Sequence, residues 1–153
     1  MTIFDELASQ YHKIDDEYSS KEFEASRRGW RRKERQFRRI REINDQAYFL
    51  FMFTRLEDYI RQQSSDLIKK KKKSISSWKQ RAAWTILPSD PDKQMVFLNR
   101  LALLTEKGGA DYNLVSQYYD ERNSVAHGGN FIRQISMPTV FAEFKRLYAV
   151  IKA

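Results

Sequence analysis

Arg122 and His127 stand five residues apart in the run Arg122-Asn123-Ser124-Val125-Ala126-His127-Gly128-Gly129. An imidazole exchanges protons near neutral pH and a guanidinium grips a phosphate. Together they are what phosphodiester cleavage can use without a metal. Tyr112, Val115, Tyr119, Asn123 and Ala126 recur at spacings of three and four, which predicts an amphipathic helix over residues 111–126. Gly128 and Gly129 then stop it, because glycine accepts the left-handed backbone that closes a helix. His127 is therefore expected in the last turn, where unpaired carbonyls and about half a negative charge favour an imidazolium.

Five residues on an ideal helix turn about 140° beyond a full revolution, so Arg122 and His127 do not share a face. Their tips converge only if the helix unwinds at Gly128 and swings His127 round, letting both address one anion across the helix end. The bland alternative is that His127 caps the helix while Arg122 pairs with a surface acid such as Asp120 or Glu121. His12, beside Tyr11 on an N-terminal helix, has no Arg-Asn partner and reads as an ordinary surface histidine.

The segment resembles the Arg-x4-6-His motif of the HEPN superfamily, small all-helical ribonuclease domains, and especially its Arg-Asn-x-x-x-His-Gly variants. The resemblance covers Arg122, Asn123 and His127. It implies a helical bundle that forms a homodimer with two motifs facing one groove, and metal-independent RNA cleavage. His127 would exchange protons with the ribose 2′-hydroxyl or the leaving oxygen, Arg122 would stabilise the phosphorane, and Asn123 would orient one of them. It also implies toxin or phage-defence roles, held in check by an inhibitory antitoxin or regulatory protein. One position departs from the pattern: toxins paired with a small nucleotidyltransferase often carry a tyrosine two residues after the histidine, where this chain has Gly129.

With 153 residues, 14% of them aromatic and only five glycines and three prolines, the chain suits one folded domain, residues 1–153, and not a disordered tail. The absence of cysteine excludes disulfides, thiol nucleophiles and thiolate metal sites. Neither histidine has a second at ligand spacing, so no metal and no other cofactor is expected. Without a long apolar run or a signal-like N-terminus, the expectation is a cytoplasmic protein with no membrane partner.

The elements that must hold the motif are helical throughout, so the fold class expected is all-α, an antiparallel bundle of five to six helices. Ile3, Leu7, Tyr11 and Ile14 mark a first helix ending at Tyr18-Ser19-Ser20. A strongly basic helix over residues 21–43 follows, with Phe23, Trp30, Phe37, Ile40 and Ala47 at heptad-like spacing. Residues 43–68 read as a core helix buried on most of its circumference around Tyr48-Phe49-Leu50-Phe51-Met52-Phe53. Lys69 to Lys73 reads as a frayed end, and a short helix around Trp78 to Leu87 follows. Asp90 and Pro91, in Ser89-Asp90-Pro91-Asp92, open a helix carrying Val96, Leu98, Leu101 and Leu104 that Gly108-Gly109 ends. After the motif helix, residues 111–127, Pro138 opens a last helix with Val140, Phe141, Phe144, Tyr148 and Ile151.

The net charge of +8 is uneven. Residues 27–41 hold nine basic residues and one acid, giving +8, and the lysine run adds +5, which leaves −5 elsewhere. Arg27, Arg28, Arg31, Arg32, Arg35, Arg38 and Arg39 are the expected RNA contacts, each a fork for a phosphate. Trp30 and Phe37 between them can stack bases, although their spacing favours packing. Glu57 and Asp58 on the core helix are candidates to orient Arg122, but nothing in the sequence places them. Two rivals remain: a non-catalytic module that binds RNA, a nucleotide or an acidic partner, and a DNA-binding regulator, for which no helix-turn-helix signature exists.

Overall fold

A computed structural model describes residues 2–91, 93 and 95–153. It is all-α, with six helices and no strand among the described residues: α1 (Ile3–Arg27), α2 (Arg31–Ser74), α3 (Trp78–Thr85), α4 (Phe97–Ala102), α5 (Ala110–Ala126) and α6 (Met137–Val150). None is long and apolar enough to cross a membrane among the described residues. The helices group into two compact units, Met1–Phe53 with Asp120–Lys145, and Thr54–Tyr119 with Arg146–Ala153. The helices α2, α5 and α6 contribute residues to both.

In the first unit, α1 starts on a capping box. Thr2 Oγ1 accepts the Asp5 amide, and Asp5 takes back the Thr2 amide at 2.7 Å. Lys145 Nζ, 2.6 Å from Asp5 Oδ1, together with the Thr2 bonds holds the Asp5 carboxyl well below the usual carboxylate range. The helix does not stop at Ser19-Ser20. Ser20 spends its hydroxyl on the Asp16 carbonyl of the preceding turn, and α1 runs on to Arg27, with Gly29 at φ +70° turning the chain just beyond it. The Gly29 amide bonds Ser26 O and the Trp30 amide bonds Ala25 O, the paired bonds of a glycine-terminated helix.

Past that turn α2 folds back along α1. Tyr11 Oη donates to Asp45 at 2.8 Å, Arg41 Nε to Asp15 at 2.8 Å, and Arg38 Nε to Glu22 at 2.9 Å. As the α1 number rises the α2 number falls, so the pair is antiparallel. The basic segment is thus not one helix over residues 21–43 but the two arms and tip of a hairpin. The core beneath it is aromatic: Phe4, Tyr11, Phe49, Met52, Phe53, Phe141 and Phe144 are buried. Phe144 is the hub, with ring centroids 6.3 Å from Phe4, 6.2 Å from Phe49 and 6.0 Å from Phe53. The 48–53 stretch is not buried all round, since Phe51 remains 49% exposed.

The second unit is built on Leu56, Ile60, Ile68, Phe97, Leu101, Val115 and Leu147, with Tyr59 stacked on Tyr148 at 4.1 Å. The fully buried Arg100 organises one end of it. Its guanidinium reaches the Ser64 and Ser65 hydroxyls at 3.1 and 3.2 Å and the Asp90 and Lys93 carbonyls at 2.8 and 3.2 Å. Those carbonyl bonds hold residues 90 and 93 in a turn. Consequently α4 begins at Phe97, not at the Asp90-Pro91 start expected from sequence; Asp92 lies outside the described residues. It ends at Ala102, before Gly108-Gly109. The lysine run is not frayed either: α2 continues through Ser74, and Lys72 Nζ donates to Leu87 O at 2.8 Å.

Candidate functional site

The motif helix spans Ala110–Ala126, and its buried stripe is Val115, Tyr118, Glu121 and Val125. This differs from the apolar spacing of the sequence, which runs through Asn123 and Ala126. Ala126 is exposed, and a carboxylate takes the inner position. Glu121 is 1% exposed because the loop after the motif donates to it. Ile132 N–H reaches Oε2 at 2.6 Å, while Arg133 N–H and Arg133 Nη1 reach Oε1 at 3.1 and 3.0 Å. Glu121 is therefore no surface acid for Arg122, and turning it inward leaves Arg122 and Asn123 half-buried at the rim.

Arg122 Nη1 donates to Asn123 Oδ1 at 3.0 Å. The main-chain carbonyl of Asn123 accepts the His127 amide at 3.2 Å, the last such bond of the helix. Asn123 therefore joins the other two, the guanidinium through its side chain and the histidine through its backbone. Gly128, at φ +81°, ends the helix, with its amide on Val125 O at 3.0 Å and the Gly129 amide on Ser124 O at 2.9 Å. His127 is the residue just past α5, exposed, with its imidazole in no hydrogen bond among the described residues.

The chain leaving the motif is tethered at once. Asn130 O accepts Ser124 Oγ at 2.7 Å, and Asn130 Oδ1 accepts Gln46 Nε2 at 3.2 Å. Phe131 then seats edge-on against Phe49, centroids 5.2 Å apart. Around these tethers lies an open pocket of about 270 Å³ lined by Arg39, Glu42, Asp45, Gln46, Asn130 and Phe131. One expected RNA contact, Arg39, thus shares a pocket with the loop that follows His127. Burial pushes the Asp45 carboxyl above its ordinary range, more than the Tyr11 hydroxyl donating to it holds it down.

The seven arginines separate into two groups. Arg28 pairs with Glu24, Arg38 with Glu22 and Glu34, and Arg39 with Glu42. Arg27, Arg31, Arg32 and Arg35 are exposed and make no ion pair among the described residues. The acids missing from the basic stretch come largely from α1. Arg41, counted in the sequence only as charge, binds Asp15 and Glu22 at 2.8 and 2.9 Å and clasps the hairpin. Phe37 packs on Tyr18 at 6.2 Å, whereas Trp30 does not pack as its spacing suggested and stands 44% exposed at the tip. Glu57 accepts Arg61 of its own helix at 2.6 Å, and Asp58 is exposed. His12 is exposed with its ring 5.9 Å from Phe141, as an ordinary surface histidine would be.

No protein-family model matches this chain, and no curated protein and no solved structure matches it.

Proposed function

We propose that the protein is a metal-independent RNA endonuclease of HEPN type, acting in the cytoplasm as a homodimer in which two motifs share one groove. The observation that carries this reading is the junction at Asn123, which bonds the Arg122 guanidinium and the His127 main chain at a helix end where the imidazole is open to solvent. In the reaction the ribose 2′-oxygen bonds to phosphorus and the P–O5′ bond breaks. One proton leaves the 2′-hydroxyl and one arrives at the 5′-oxygen. His127 takes or delivers one of them, Arg122 stabilises the added charge of the phosphorane, and Asn123 holds the guanidinium in place. The exposed arginines of the hairpin draw RNA toward the pocket that Arg39 lines. The resemblance of the motif extends the proposal to a toxin or defence effector restrained by an inhibitory protein.

One observation favours a second reading, a binding module without catalysis: no described residue donates to or accepts from the imidazole to set its tautomer. Incubating RNA in EDTA with the wild type, Arg122→Ala and His127→Ala separates the two. Catalysis predicts chelator-resistant cleavage that either substitution lowers by at least about a hundredfold. Intact RNA bound by all three proteins would leave only the binding module.

A further inference from the structure

We propose that the tip of the α1/α2 hairpin is a stacking platform for single-stranded RNA, with Trp30 receiving an unpaired base and Arg27, Arg31, Arg32 and Arg35 taking the neighbouring phosphates. The inference rests on RNA being the ligand, and it adds which form of RNA is chosen.

Trp30 is fixed by its backbone while its ring remains partly exposed. Its amide donates to Ala25 O at 2.8 Å, closing α1, and its carbonyl accepts the Glu34 amide at 3.0 Å, opening α2. An apolar residue at this place after a helix ordinarily folds back on the last turn. Here the ring stays 44% exposed and carries two cations, the Arg28 guanidinium 4.8 Å and the Lys33 ammonium 4.5 Å from its centroid. A ring that contributes little to the core, on a backbone already anchored between two helices, leaves only side-chain entropy to be lost on binding a ligand. A base stacking on it would displace one of these cations and leave it free to meet a neighbouring phosphate.

The charge around the ring selects the partner. Residues 27–35 contain six cations and one acid, Glu34, which Arg38 already occupies. The exposed chain neighbours of Trp30, Arg28, Gly29, Arg31 and Arg32, are three cations and a glycine and bring no apolar side chain beside it in sequence. Alternating flat faces and phosphates are what a single strand offers. In a duplex the base faces are covered by their neighbours, so only the arginines could engage it.

The test is fluorescence anisotropy of the full chain with a short labelled 2′-O-methyl oligouridylate, and with the same strand paired to 2′-O-methyl oligoadenylate. The methyl group blocks transesterification, so the result is independent of cleavage, and failure of the nuclease reading would leave it standing. Trp30→Ala is expected to weaken the single strand about tenfold while the duplex is unchanged, and Trp30→Phe to stay within about threefold of wild type. An unchanged single-strand affinity in Trp30→Ala, or an equal loss on both ligands with unaltered helicity, would overturn the platform. Binding of polyglutamate but of neither oligonucleotide would also overturn it and assign the hairpin to an acidic protein.

Discussion

The three motif residues depend on a turn two residues long. Gly128 holds the positive φ, yet a Cβ there would meet nothing within 4 Å. Gly129 needs no special φ, but a Cβ there would lie 2.8 Å from Ser124 Oγ and 2.9 Å from the Ser124 carbonyl. The carbonyl is backbone and cannot swing away, and the hydroxyl is already committed to Asn130. Gly128→Ala is therefore expected to cost about 1 kcal/mol of stability, the strain of a left-handed alanine. Gly129→Ala is expected to cost about 2 to 3 kcal/mol from crowding and to lower cleavage further by displacing the loop that follows His127. Thermal denaturation of both variants checks the order, and equal losses would contradict this account of the turn. The candidate residues could be named from the sequence because Arg, Asn, His and Gly carry their chemistry in their identity. The inward place of Glu121 could not be read there, because a carboxylate in mid-helix reads as solvent-facing until the loop amides that surround it are known.

At the scale of the helix, local signals succeeded where they acted alone and failed where distant partners outbid them. The α5 helix begins one residue from its expected start, since its glycines and spacing are local. The Asp90-Pro91 start is overridden by Arg100, ten residues on, which claims the Asp90 carbonyl. The basic stretch read as unbalanced because Glu22 and Asp15, which pair with Arg38 and Arg41, sit on α1, sixteen or more residues away. That division has a consequence for binding. Arg32→Gln is expected to reduce the salt slope of RNA binding by about 0.7 for a lost phosphate contact, and Arg38→Gln, already paired twice, to reduce it much less. Anisotropy titrations over a range of salt measure both, and equal slopes would contradict the division. Asp45 gives a pH test of the same hairpin. Its raised pKa means that the folded chain binds more protons than the unfolded chain just above the ordinary carboxylate range, so stability falls as pH rises through that window. Asp45→Asn keeps an acceptor for Tyr11 and removes the buried charge. It is expected to be more stable than wild type at neutral pH, with the advantage vanishing below about pH 4. Denaturant midpoints at the two pH values check this, and an advantage independent of pH would contradict it.

For the molecule as a whole, the all-helical class and the clustering of positive charge over residues 27–41 are properties the sequence states outright, since periodicity and charge need no tertiary information; that this stretch folds as a hairpin and not as one helix is not among them. Where the chain divides between the two units follows no local pattern: Phe144 is buried in one and Leu147, three residues on in the same helix, is buried in the other. On the proposed function, a cationic hairpin would gather RNA, the pocket that Arg39 shares with Asn130 and Phe131 would lie on its way to the motif, and Arg122 with His127 would cleave without a metal. The chemistry of the cut ends tests this most directly. Total RNA incubated with the purified chain in EDTA is predicted to yield fragments ending in 2′,3′-cyclic phosphate and beginning with 5′-hydroxyl, and His127→Ala is predicted to yield none. Intact RNA with the wild type, fragments ending in 3′-hydroxyl, or the same fragments from His127→Ala would contradict it.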